Sequence, residues 1–230
     1  MNSTGRASEP GRTSVGVRVW CLRHGESQNI TAHVAGAVPA APLTQHGRGQ
    51  AVAAAQVLAG EPIARIYTST ALRTRQTAEL LTATPAAGVS VLPGLVEMGI
   101  GRHEGSTDPA VRKQTAEVLR AWVVERDLGR RVADGETGYD VVARTTAALQ
   151  QIVGAHPGET VAVVGHVAAL TVTLSRLCAL GARVWGTPLP HAHPFLVEWN
   201  GHAWHCPAWP GAVDGPTTTP DGCSLSTPAP

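Results

Sequence analysis

Short apolar runs that stop abruptly at polar residues alternate along this chain with longer stretches whose apolar positions recur every three to four residues. Val17-Arg18-Val19-Trp20-Cys21-Leu22 has the length and β-branched content of a strand and stops at Arg23-His24-Gly25-Glu26. Ala64 to Thr68 is a second strand, ending at Ser69-Thr70, and Val89 to Leu92 a third, ending near Glu97. Thr160-Val161-Ala162-Val163-Val164 is a continuous apolar run of the kind a strand buried on both faces needs, and it stops at Gly165-His166.

Between these runs the period is helical. Thr44 stands as an N-cap for a helix carried by Ala51 to Leu58 until Gly60, and Ala71 to Leu81 follows with Arg73 in its first turn. A helix with Pro109 near its start runs from about Ala110 to Arg126. Tyr139 to Ala155 sets Val141, Val142, Thr145, Ala148, Leu149 and Ile152 on one stripe, and Ala168 to Leu180 is an apolar helix ended by Gly181. Phe195 to Trp199 and Ala203 to Cys206 read as a closing hairpin around Asn200-Gly201. This alternation predicts an α/β fold, a three-layer sandwich with a mostly parallel central sheet flanked by helices.

At 230 residues and 43% hydrophobic content the chain can bury one core, placed at 17–206. Met1 to Gly16 is rich in Ser, Thr, Gly and Arg without an apolar signal-like segment, and residues 207–230 are rich in Pro, Thr, Gly and Ser; both are expected to be disordered tails. The formal charge of +1 balances 18 basic against 17 acidic residues, so neither nucleic acid nor an anionic membrane is an expected partner. No stretch of about 18 apolar residues is present to span a bilayer. Four scattered cysteines, Cys21, Cys178, Cys206 and Cys223, contain no C-x-x-C pair, which argues against a zinc knuckle or redox dithiol and fits a cytoplasmic location. Lys113 is the only lysine, a bias that reads as compositional.

The polar clusters at the strand ends are Arg23-His24, Arg73, Glu97 and His166. Two histidines, two arginines and a carboxylate are what metal-free phosphoryl transfer through a phosphohistidine would use. Here the chain resembles the histidine phosphatase superfamily, the phosphoglycerate mutase-like fold, in its phosphatase branch. Arg23-His24-Gly25-Glu26-Ser27 is similar to that family's R-H-G-E-[ST] motif, and Pro42-Leu43-Thr44 with Gly47, Gln50 and Ala51 to its P-L-T-x-x-G-x-x-Q-A helix start. Ser69 to Ala78, containing Arg73, is similar to S-x-x-x-R-x-x-Q-T-A, Glu97 to Gly105 to E-x-x-x-G-x-x-E-G, and Val164-Gly165-His166 to the late histidine motif.

The resemblance implies that His24 is the nucleophile, that Arg23, Arg73 and His166 hold the phosphoryl oxygens, and that Glu97 is the acid/base, with Glu104 the neighbouring alternative donor. It implies no cofactor and no metal. The physics agrees: attack needs a neutral imidazole, and two adjacent guanidinium charges favour that form. A unit-charge contact near 4 Å is worth about 4 kcal/mol at an effective dielectric of 20, so such a pocket offsets much of a phosphate's desolvation. The expected reaction is hydrolysis of a small, soluble phosphate monoester.

The sequence also departs from the family pattern. Asn29 lies one place early, with Ile30 in its slot, and is retained with His193 among the substrate-binding candidates. His103 stands where tryptophan is common. The Leu-Asn-Glu-Arg-His-Tyr-Gly segment of phosphoglycerate mutases is absent, Met98 to His103 filling that place, which disfavours the rival reading of a mutase-like phosphotransferase. Further rivals are a non-catalytic phospho-ligand binding module and a zinc protein built on His191, His193, His202, His205 and Cys206. The site's rim is expected from Ala32 to Pro42, Ser106 to Arg126 and Ala182 to His193, with Arg112 and Lys113 read mainly as a solvated helix face. Trp185, Trp199, Trp204 and Trp209 are candidates for an apolar patch that would support a homodimer.

Overall fold

The apolar run that begins at Thr160 forms strand β4 (Thr160–Gly165), buried at every position, and the sheet is built outward from it. The protein is seen in a computed structural model describing residues 16–82, 87–186 and 188–210. The other strands are β1 (Val17–Arg23), β2 (Ile63–Thr68), β3 (Gly88–Val91), β5 (Phe195–Trp199) and β6 (Trp204–His205). They pair in the order β3-β2-β4-β1-β5-β6, the first four parallel, with β5 antiparallel to β1 and β6 to β5.

Alternation along the strands supplies two cores. Val17, Val19 and Cys21 of β1 and Val161 and Val163 of β4 pack against α5 (Gly138–Ala155) and α6 (Val167–Leu177). Leu22, Ile66, Ala162 and Val164 face the other way, against α2 (Gln45–Leu58) and α3 (Leu72–Leu81). Helices on both faces give the expected three layers. A third cluster joins α4 (Pro109–Arg120) and the turn after it to Met98, Ile100 and Val172.

Local chemistry starts the helices where the sequence implies. The Thr44 side chain accepts from Gly47 N–H, Asp108 Oδ1 accepts from Ala110 N–H, and Thr137 with Asp140 completes a capping box. The loop after β1 lies backbone against backbone on the start of α2. A Cβ on Gly47 would stand 1.9 Å from Glu26 O, and one on Gly25 2.4 Å from Gly47 O. Only glycine permits that approach.

Three boundaries differ from the sequence reading. The helix begun at Pro109 is α-helical only to Arg120; residues Ala121–Glu125 form a π turn, which Arg126 ends at φ 61°. Helix α6 stops at Leu177 because left-handed Ala179 (φ 53°) reverses the chain before Gly181. A four-residue helix, α1 (Gln28–Thr31), is too short to show a period.

The core also continues past Cys206. Trp209 is 8% exposed and packs edge-on against Phe195 at 5.3 Å, and Pro210 is buried, so the boundary set at 207 moves outward. One tryptophan among prolines and glycines carries no periodic signal. Residues 1–15 and 211–230, the bulk of the two expected tails, lie outside the described residues. Trp204 is buried as well and Trp199 half-buried, so the four tryptophans do not make one exposed patch. Among the described residues no helix is long and apolar enough to cross a membrane.

Candidate active site

The parallel strands end in register. Arg23 pairs with Gly165 and Thr68 with Val164, so His24, Ser69 and His166 emerge side by side at the carboxyl edge of the sheet, where open α/β folds place their sites. His24 N–H donates to Gly165 O at 3.1 Å, which ties the two histidine-bearing segments together. The first turn of α3 brings Arg73 to the same point. His24, Arg73 and His166 are all buried, at 3%, 1% and 0% exposure.

Hydrogen-bond logic fixes both imidazoles. His24 Nδ1 meets Gly25 O at 2.7 Å, and a carbonyl only accepts, so Nδ1 carries the proton. Nε2 is then the lone-pair nitrogen, and Arg73 Nε–H points at it from 3.0 Å. Arg73 Nη2 donates to His166 Nδ1 at 3.1 Å, leaving the His166 proton on Nε2, which donates to Ser69 Oγ at 2.8 Å. Ser69 passes its own proton to Thr74 Oγ1 at 2.8 Å, and Thr74 donates to Ala71 O at 2.8 Å. The third arm of Arg73, Nη1, donates to Val38 O at 2.9 Å. One guanidinium therefore orients both rings.

These surroundings keep the rings neutral. Burial, then His166 and the charges of Arg73 and Arg23, hold the His24 pKa well below the usual histidine value; burial followed by the arginines does the same for His166. Burial and Arg23 lower His191 to about 4. Arg23 falls to about 10 by burial, opposed by Glu97, and stays cationic at neutral pH.

Rings that refuse protons in the native state but accept them near pH 6.5 when unfolded stabilise the fold above that pH and lose the contribution as pH falls. His24 and His166 should each cost about 1.4 kcal/mol per pH unit below about 6.5. Calorimetry is expected to show Tm dropping by roughly 5–10 °C between pH 6 and pH 5. A Tm that is flat across this range would show that both rings are protonated in the folded protein.

Glu97 approaches from the segment after β3. Its Oε1 accepts from Met98 N–H and Ala169 N–H (2.9 and 3.1 Å) and its Oε2 from Ala168 N–H (3.2 Å), so it closes the amino end of α6 directly beside His166. Oε2 takes only that N–H and keeps a second lone pair. Glu104 has a different place: its carboxylate bridges Ile100 N–H and Ala37 N–H (2.8 and 2.7 Å), fastening the loop that carries Val38 to the glycine-rich segment.

Arg23 Nη1 donates to Leu189 O at 3.1 Å, while its buried Nε has no hydrogen-bond partner among the described residues. An unpaired buried guanidinium N–H is costly, and an anion in the cup would satisfy it. Asn29 is buried, with Oδ1 accepting from Ser27 at 2.7 Å, and it lines the cavity next to the cup.

His193 is exposed and does not line that cavity, contrary to its candidacy; left-handed Ala192 (φ 47°) breaks the extended path between it and His191. The histidine that reaches the site is His191, whose Nδ1 donates to His24 O at 3.0 Å and whose ring lies 5.6 Å from that of His24. His202 and His205 are also exposed, and among the described residues no three His, Cys, Asp or Glu side chains converge as a metal set. The sequence reading missed Ser69 and Thr74, although both lie inside the segment that pointed to Arg73.

Beside the cup opens a cavity of about 610 Å³, shared by Arg23 and Glu97 at one end. It runs along α1, the loop behind it, α4 and the segment after α6. These are the rim stretches expected from sequence, with Arg112 in the wall and Lys113 turned outside to Glu117.

Two histidines, two guanidinium groups and a carboxylate at the carboxyl edge of a mostly parallel sheet define a phosphatase or phosphoryl-transfer enzyme. The chain belongs to the histidine phosphatase superfamily (branch 1), whose pattern matches residues 19–210. It is 30% identical over 166 residues, 72% of this chain and 77% of the relative, to a probable phosphoglycerate mutase of Photorhabdus laumondii. It is 28% identical over 172 residues, 74% of this chain and 84% of the relative, to an adenosylcobalamin/alpha-ribazole phosphatase of Salmonella typhi. Among solved structures, a mycobacterial glucosyl-3-phosphoglycerate phosphatase in complex with VO3 superposes with a TM-score of 0.69 at 26% identity, over 84% of this chain and 98% of that one.

Proposed function

We propose that the protein hydrolyses a small phosphate monoester through a phosphohistidine on His24, using these protein side chains alone. The observation that carries this is the geometry of His24: Nδ1–H anchored on Gly25 O, and the Nε2 lone pair facing Arg73 inside a buried cationic cup. When a phosphoryl group occupies the cup, the Arg73 and Arg23 donors pass to its oxygens and free Nε2. Nε2 then attacks phosphorus as the bond to the alcohol oxygen breaks, and Glu97 gives that oxygen a proton. In the second half Glu97 takes a proton from water. The water oxygen attacks phosphorus, the P–N bond breaks, and inorganic phosphate leaves.

Relatives named as phosphatases favour hydrolysis, and the one holding VO3 leads to the expectation that vanadate inhibits this protein too. A second reading, phosphoglycerate isomerisation, is favoured by the relative named as a mutase. Release of inorganic phosphate from a monoester panel, assayed beside conversion of 3- to 2-phosphoglycerate, separates the two. No release from any ester, with isomerisation present, would overturn the proposal.

Glu97→Gln gives a sharper check. With an alkyl monoester, kcat is expected to fall about 10²- to 10⁴-fold, because an alkoxide must be protonated to leave. With p-nitrophenyl phosphate the loss should be much smaller, since nitrophenolate leaves unaided. Equal losses on both esters would take the proton-donor role away from Glu97.

A further inference from the structure

The cavity beyond the cup is unlike the cup itself. Val34, Met98, Ile100, Leu119, Val184 and Trp185 line it, and its polar side chains are largely engaged elsewhere. Thr115 donates to Val111 O at 2.8 Å in its own helix, and Arg112 Nη1 donates to His33 O and Thr107 O, both at 2.9 Å. Away from the Arg23 end, a carboxylate or second phosphate on the substrate would lose its water against this wall with Arg112, whose Nη1 is already tied to the backbone, as the one cation among the described residues to meet it. An alkyl or aryl group would gain from every carbon buried.

Resting on the hydrolase reading above, we infer that the alcohol half of the substrate is a sizeable uncharged apolar group, and that this cavity holds it while the cup holds the phosphate. A volume of about 610 Å³ lies within the range of pockets that enclose small organic ligands, and it admits a chain or ring system of roughly six to ten carbons. An alkyl ester fills part of that apolar wall and a phosphoglycerate does not, so the alkyl ester should be the better substrate.

A homologous series isolates this effect, because ethyl to octyl phosphates share nearly the same leaving-group basicity. The ratio kcat/KM is expected to rise about two- to fourfold per methylene across the series, and 3-phosphoglycerate to be a poorer substrate than butyl phosphate. Ethyl- to octylphosphonates, which have no ester bond to hydrolyse, should show the same gain in calorimetric affinity for the wild-type protein. Ala116→Glu, at an exposed position of α4 where it borders the cavity, should cut the octyl-to-ethyl preference by about tenfold or more.

A gain with chain length in phosphonate binding, without phosphate release from any ester, would overturn hydrolysis and uphold the apolar pocket. A flat series in both measurements, or 3-phosphoglycerate surpassing butyl phosphate, would overturn the pocket's assignment while leaving hydrolysis intact.

Discussion

His24→Ala is expected to lower kcat for monoester hydrolysis by about 10⁴- to 10⁶-fold, the scale on which removal of a covalent nucleophile acts when the rest of the site survives. Alanine leaves no nitrogen where Nε2 now faces Arg73, and no other group in the cup has a lone pair in that position. Rapid acid and alkaline quenching of the wild-type reaction should trap phosphate that is labile to acid and stable to base, and His24→Ala should trap none. The fold should survive at some cost in stability, because deleting the neutral ring removes its bond to Gly25 O, the acceptor of Arg73 Nε–H and some packing. A variant that folds and keeps activity within tenfold of wild type would end the phosphohistidine proposal.

Arg73→Ala is expected to cost about 10³- to 10⁵-fold in kcat/KM, as loss of a guanidinium aimed at a transferring phosphoryl group does elsewhere. Arg73→Lys should recover little of this. A single ammonium cannot reproduce a fork whose three arms reach His24 Nε2, His166 Nδ1 and Val38 O. Arg73→Ala should also soften the acid sensitivity of Tm, because the arginine is among the charges that keep the two rings unprotonated, whereas Arg73→Lys retains the charge and should keep more of that sensitivity. Loss of packing alone would lower Tm at every pH without changing its slope, so the slope distinguishes electrostatic tuning from simple support.

Much of this was legible in the sequence because strand ends announce themselves. The runs stopping at Arg23 and Gly165 placed His24 and His166 at one sheet edge without any knowledge of pairing, and the register of β1 on β4 then made them neighbours. Arg73 was equally accessible, since a helix starting just after a strand must return its first turn to the same edge. Less legible were contacts that depend on three-dimensional convergence. Glu104 and Glu97 share a motif, yet one fastens a loop and the other caps α6, and only the positions of the acceptor backbones separate them. His191 and His193 stand two residues apart and would share a face of an extended segment; left-handed Ala192 (φ 47°) between them separates their directions, which no alternation pattern shows. Trp209 escaped because a single apolar residue in a Pro- and Gly-rich stretch is invisible to any periodic test.

The hydroxyl relay behind His166 has a consequence for proton traffic. Ser69, Thr74 and the Ala71 carbonyl form a dead end: each hydrogen on it already has its acceptor, and the last acceptor is a backbone oxygen within the protein. Among the described residues this relay therefore gives the His166 imidazole no rearward path for a proton. Glu97, the proposed proton donor, lines the cavity beside the cup, so the protons of the proposed cycle would pass on the side that an oily leaving group covers until it departs.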